Sequence, residues 1–160
     1  MSPAAVVLER AEVVGAILEW PLPSWWFSLD VSDPRWIVLS DGRPAGVVAA
    51  SPLDWVASGR SPLGGVAPVV SNTLVEVGFP YRGVGVGPAA LRALSGALAR
   101  LRMPPPIAAV LLGNQAARRC VEAAGMDYAG MGEATWPLGP GVCRIYAGTW
   151  EPRLAGWPVC

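Results

Sequence analysis

The sequence predicts an α/β chain folded as one domain, in the order β-α-β-β-β-α-β-α-β-β. Three observations carry that expectation. Runs of β-branched and apolar residues alternate with stretches whose apolar residues recur at helical spacing. An Asp-Gly pair joins two β-prone runs, the short-range signature of a hairpin. A glycine-rich turn separates a strand from an amphipathic helix in the middle of the chain. With 160 residues, of which 52% are hydrophobic and 15% charged, the chain is long and apolar enough for one core and too apolar for intrinsic disorder.

Val6 to Arg10 reads as a short strand, and Glu12 to Trp20 as a helix, with Val13, Ala16, Ile17 and Trp20 on one face. Pro21 and Pro23 stop that helix. Pro21 to Pro34 carries Trp25, Trp26 and Phe27 without clear periodicity, a short helix or an aromatic loop. Trp36 to Leu39 and Ala45 to Ala50 flank Asp41-Gly42 as the hairpin. A loop rich in Gly, Pro and Ser is expected from Ser51 to about Pro68, then a strand over Val69 to Val77. Ala89 to Arg102 repeats apolar residues at Ala90, Leu91, Leu94, Leu98 and Leu101 and runs into Pro104-Pro105-Pro106, the pattern of a helix and its stop. Ile107 to Leu112 reads as a strand, and Asn114 as the cap of a helix over Ala116 to Ala124 that Gly125 closes. Strands near Asp127 to Thr135 and Val142 to Trp150 complete the order.

Composition excludes several chemistries. Twelve basic residues balance twelve acidic ones, so no overall field draws the chain to nucleic acid or to an anionic membrane. All twelve bases are arginine and histidine is absent, which removes histidine catalysis, histidine metal sites and a lysine Schiff base. Cys120, Cys143 and Cys160 are odd in number and widely spaced, against a disulfide framework or a Cys-x-x-Cys zinc site. No apolar run reaches the roughly 20 residues that span a bilayer, and the N-terminus lacks the pattern of a secretory signal, so the expected compartment is a reducing cytoplasm.

The chemistry concentrates in Arg82-Gly83-Val84-Gly85-Val86-Gly87. A strand, a glycine-rich turn and a helix in succession place backbone N–H groups at a helix N-terminus, where free donors and the helix dipole favour an anion. Glycines let the main chain approach a phosphate, and Pro88 suits a first helical turn. A dinucleotide site would need Gly-x-Gly-x-x-Gly after the first strand of a βαβ unit, and a P-loop would need a lysine; this chain has neither. A diphosphate held by backbone amides is what remains, beside a tight turn that binds nothing.

The same segment resembles the signature of the Gcn5-related N-acetyltransferases, Gln/Arg-x-x-Gly-x-Gly/Ala at the start of a helix after a long central strand. Asn114, Ala116, Ala117, Gly125 and Met126 are similar to that family's second signature, with Met126 where Phe is usual. The likeness runs from about Val6 to Trp150. It implies a mixed, mostly antiparallel central sheet with helices on both faces. It also implies acetyl-coenzyme A as co-substrate, no metal, and an amine acceptor on a small molecule, peptide or aminoacyl group. By the same resemblance Arg82, Gly83, Val84, Gly85, Val86 and Gly87 hold the pyrophosphate, the strand edge near Val77 to Phe79 pairs with pantetheine, and Asn114 contacts the cofactor arm, or simply caps its helix. Val84 stands where a basic residue is frequent, and Pro88 removes one amide that would face phosphate.

An amine with pKa near 10 must lose a proton before it attacks a thioester, and the resulting oxyanion needs a donor, for which a backbone N–H near Val77 is the candidate. Glu76 is the one carboxylate in the central strand and so the candidate base, although the family's usual strand glutamate falls nearer Ser71. The position of the family's acid tyrosine, seven residues after the Asn, holds Val121. Tyr81, Tyr128 and Tyr146 are alternatives for that role, Cys120 is a potential acyl carrier or a small buried hydrophobe, and Trp25, Trp26, Trp55 and Trp136 are pocket or packing residues. Two functions follow: an N-acyltransferase, as a single chain or a homodimer, or a protein of the same fold that binds coenzyme A or a partner without turnover.

Overall fold

The computed structural model describes residues 5–11, 22–27, 29, 32–54, 69–104, 106–134 and 141–148. Seven strands form one sheet: β1 (Val6–Arg10), β2 (Arg35–Ser40), β3 (Arg43–Asp54), β4 (Val69–Val77), β5 (Pro106–Leu111), β6 (Asp127–Ala134) and β7 (Gly141–Ala147). Their spatial order is β1-β2-β3-β4-β5-β7-β6. Every neighbouring pair is antiparallel except β4 and β5. A parallel pair needs a crossover, and helix α2 (Val86–Arg100) supplies it. Among the described residues the two remaining α-helices are α1 (Ser24–Phe27) and α3 (Gln115–Ala123).

The hairpin of β2 and β3 turns on Asp41 (φ 49°) and Gly42 (φ 77°), both left-handed as a two-residue turn of this kind requires. Asp41 also ties down β1: its N–H donates to the Ala5 carbonyl at 2.9 Å, and its Oδ1 accepts from the Ala5 N–H at 3.1 Å. Strand β3 runs on to Asp54, so Ser51–Asp54, expected as the start of a loop, instead pairs with Val69–Asn72 of β4. Pairing across the sheet outweighs the turn bias of Ser51-Pro52 there. The expected helix over 12–20, Trp55, Trp136 and the rest of the 51–68 loop lie outside the described residues.

Strand alternation divides the core. Val75 and Val77 point to one face, where Val38, Val48, Val86, Ala90, Leu94 and Leu98 pack together. Leu74 points to the other, against Val47, Ala49, Trp25 and Trp26 of the single helical turn α1. Helices thus cover both faces, as expected. Leu94 and Leu98 are fully buried, each stabilising the α2 contact by roughly 1.5–3 kcal/mol. Helix α3 lies beside α2, joined through Leu91, Val110, Val121, Met126 and Tyr146. Helix α2 begins at Val86, three residues before the expected start at Ala89, because left-handed Gly85 (φ 88°) stands at its N-cap and Pro88 fits its first turn.

Candidate active site

The parallel strands β4 and β5 meet at only two pairs, Ser71 with Pro106 and Asn72 with Ile107. Beyond these the two strands part, while the other edge of β5 pairs with β7 through Ile107–Leu111 and Cys143–Ala147. Two side chains hold the fork. Ser71 Oγ donates to the Pro104 carbonyl at 2.7 Å, and Thr73 Oγ1 donates to the Ile107 carbonyl at 2.7 Å. The two hydroxyls satisfy the Pro104 and Ile107 carbonyls where the backbone ladder between β4 and β5 is interrupted. Among the described residues no strand pairs with the β5-facing edge of Thr73–Val77. An unpaired strand edge inside a sheet is a place for an extended, amide-bearing ligand.

The glycine-rich turn follows the end of β4 at which the fork opens. Gly83 (φ 77°) and Gly85 (φ 88°) are left-handed, and a Cβ on either would meet nothing within 4 Å. Glycine is required there for conformation, and the space above it stays open. The first helical bond runs from the Ala89 N–H to the Gly85 carbonyl at 3.2 Å, so the amides of Val86 and Gly87 precede the helical ladder. Pro88 contributes no amide. Gly87 is glycine for a different reason: a Cβ there would lie 2.8 Å from Cys120 Sγ and 3.6 Å from Val77 Cγ2. The N-terminus of α2, the end of β4 and α3 therefore converge at Gly87.

Strand β4 ends at Val77, short of the expected Val77 to Phe79 edge. The Gly78 N–H donates to the Ala45 carbonyl, and Phe79–Tyr81 winds into a 3-10 turn that leaves Phe79 80% exposed. Pro80 lies at the start of that turn and removes an N–H a strand would need. Arg82 reaches back across the turn. Its Nε donates to the Val77 carbonyl at 2.8 Å and its Nη2 to Glu76 Oε1 at 2.8 Å. The carboxylate expected as a base and the arginine expected on phosphate are thus partners of each other. Val84 is exposed at the tip of the turn.

Asn114 caps α3, its Oδ1 accepting from the Ala117 N–H at 3.0 Å. Ser71, at the family's usual glutamate position, is fully buried at the fork. Val121, at the tyrosine position, is buried among Leu91, Ala108, Val110, Met126 and Tyr146. Of the three tyrosines, Tyr146 is buried with its hydroxyl donating to Glu122 Oε1 at 3.2 Å, Tyr128 stands edge-on against it at 5.8 Å, and Tyr81 packs beside the α2 core. Burial pushes the half-buried Cys120 thiol above its ordinary pKa, with the Arg92 charge opposing the shift. A protonated thiol is a poor nucleophile. Trp25 and Trp26 are core residues. The sequence reading missed the Ser71 and Thr73 hydroxyls, although polar residues alternating within an apolar strand were their signal.

Among the described residues no group of three or more His, Cys, Asp or Glu is placed to hold a metal ion, and no helix is long and apolar enough to cross a membrane. No protein-family model matches the sequence, and no curated protein matches it. Solved structures do match. The acetyltransferase from Salmonella typhimurium that modifies the N-terminal serine of ribosomal protein L7/L12 aligns over 74% of this chain and 64% of its own, at 15% identity and a TM-score of 0.55. The microcin C7 self-immunity acetyltransferase MccE, solved with acetyl-CoA and AMP, aligns over 74% and 61% at 13% identity and a TM-score of 0.55. The aminoglycoside acetyltransferase AAC(6')-Ib, solved with coenzyme A, aligns over 72% and 66% at 23% identity and a TM-score of 0.53. The chain therefore spans just under two thirds of the length of these three proteins, and it has the fold of the Gcn5-related N-acetyltransferases.

Proposed function

We propose that the chain is an acyl-CoA-dependent N-acyltransferase that moves an acetyl group from acetyl-coenzyme A to an amine. The observation that carries this reading is the fork between β4 and β5, with the amides of Val86 and Gly87 standing ahead of the α2 ladder beside the end of β4. A linear amide chain ending in a diphosphate matches an open strand edge followed by a helix N-terminus. The structural neighbours solved with coenzyme A or acetyl-CoA support it.

In this reading the amides from Gly83 to Gly87 and the positive end of α2 hold the pyrophosphate, with Val84 at the rim and Arg82 behind the turn. The edge of β4 up to Val77 aligns the pantetheine arm, with Phe79 flanking its end, and Asn114 both caps α3 and borders the arm. Acetyl-coenzyme A supplies an acyl group already activated as a thioester. A backbone N–H near Val77 donates to the carbonyl oxygen as it gains charge. The acceptor is an amine on a small molecule, peptide or aminoacyl group, and the site of action is the cytoplasm. A second reading, binding without turnover, draws on Val121, which puts a buried aliphatic group where the family carries its acid.

Thermal unfolding with acetyl-coenzyme A tests the first step. At 100 times the dissociation constant the ligand stabilises the fold by about 2.7 kcal/mol, seen as a raised Tm. No shift at millimolar ligand rejects the binding site. Given a shift, thiol release with a panel of primary amines separates the two readings: release with any amine establishes transfer, and silence across the panel favours the binder.

A further inference from the structure

We infer that Glu76 and Arg82 form a strut that sets the position of the diphosphate turn, with Glu76 acting on the site through Arg82 and not as a base. The inference rests on the acyltransferase reading for its ligand and on three features of the structure for its geometry. First, Arg82 is the first residue of the glycine-rich segment, and both of its side-chain bonds run backward, to Val77 and Glu76 at the end of β4. Second, the backbone between them leaves the sheet at Gly78 and turns through Phe79–Tyr81, so the side-chain bridge is a second link from the strand to the turn. Third, Gly83 and Gly85, which follow at once, are exposed left-handed residues with open space where a Cβ would sit, so no side chain of theirs anchors the turn.

The chemistry of the pair fits this role. The Val77 carbonyl ends its strand and takes Arg82 Nε as donor, while the planar guanidinium presents Nη2 to the carboxylate in the same fork. The ion pair is partly exposed, at 56% for Arg82 and 36% for Glu76, so its effect is modest. Glu76 Oε1 is occupied by a donor, and Glu76 follows Leu74 on the face away from α2, whereas Val75 and Val77 face α2. Coulomb's law opposes the strut in sign. Deleting Glu76 leaves Arg82 with uncompensated positive charge near the phosphates, so a purely electrostatic pair predicts tighter binding of coenzyme A when Glu76 is removed. A strut predicts weaker binding.

Two measurements decide it on Glu76→Ala, Glu76→Gln, Arg82→Ala and the double alanine variant. The first is the backbone amide order parameters of Gly83, Gly85 and Gly87 in the free protein. The second is the coenzyme A dissociation constant by calorimetry, with the pH profile of kcat/KM for any amine that is turned over. Glu76→Ala and Arg82→Ala are expected to lower the order parameters and weaken coenzyme A about twofold to fivefold, the double variant adding little to Arg82→Ala. Glu76→Gln keeps an acceptor oxygen for Nη2, so it should stay nearer the wild type than Glu76→Ala on both readouts and keep the acid limb of the pH profile. Unchanged order parameters in Glu76→Ala, or tighter coenzyme A binding, would overturn the strut. A hundredfold loss of kcat in Glu76→Gln together with loss of the acid limb would overturn it in favour of a base. A wild-type protein that binds no coenzyme A would reject the acyltransferase reading, and the order parameters alone would then decide the strut.

Discussion

The sulfur of Cys120 stands 2.8 Å from the point where a Cβ on Gly87 would sit, so α3 and the first turn of α2 touch with no room for a methyl group. Gly87→Ala is therefore expected to destabilise the fold by about 1–3 kcal/mol through overpacking. Cys120→Ala vacates the sulfur's place, so the double variant should lose less than the two single losses added together. Urea unfolding of the four proteins measures the coupling, and strict additivity would disprove the contact.

Gly83 and Gly85 differ from Gly113 in a way that stability should report. All three have open space where a Cβ would go, but only the first two hold a left-handed φ. Gly83→Ala and Gly85→Ala should each cost about 1–2 kcal/mol from backbone strain alone. Gly113→Ala should be neutral or stabilising by about 0.4–1 kcal/mol. Denaturant midpoints distinguish the three, and the two turn variants should also weaken coenzyme A.

Asn114 has a structural role independent of any ligand. Asn114→Ala removes the cap from the Ala117 N–H and should cost about 1 kcal/mol, whereas Asn114→Asp retains an acceptor and most of that stability. If Asn114→Asp also keeps coenzyme A affinity, capping is the whole of its contribution. A selective loss of affinity in Asn114→Asp would place the side-chain amide on the cofactor arm.

The Glu122 carboxyl is held below its ordinary pKa by the hydrogen bond from Arg118, and the Tyr146 hydroxyl adds to this. A depressed native value gives stability that is present above the unfolded value, about 4.3, and lost as pH falls through the native one. Glu122→Gln should flatten the acid side of the Tm profile below about pH 4.3. At the alkaline end the sign reverses: burial pushes the Cys120 and Cys143 thiols up, so their share of stability is lost as pH rises beyond about 8.5. An acid slope in Glu122→Gln identical to the wild type would reject the first assignment.

Local chemistry made most of the elements legible. Asp41-Gly42 specified its hairpin because few residue pairs accept two left-handed conformations in succession. Strands β1 and β4 fall where the apolar pattern put them, and Asn114 begins α3 because its side chain satisfies a free amide. Errors gathered where a distant partner decides the outcome. Ser51–Asp54 reads as loop but is strand because β4 lies beside it. Phe79 reads as strand edge but leaves the sheet with Pro80 and Tyr81.

The sequence by itself determined that a glycine-rich turn opens a helix, that the chain carries no lysine or histidine, and that Val121 stands where the resemblance expects a tyrosine. Each of these depends on residue identity or on spacing along the chain. Only the tertiary structure decided that β4 and β5 part after two pairs, that Ser71 and Thr73 hold the fork, that Cys120 presses on Gly87, and that Glu76 faces Arg82. The reason is physical. Which edge of a strand stays unpaired depends on where β5 parts from β4, and the pairing Ser71 with Pro106 joins residues about 35 apart in the chain. No local periodicity carries that information.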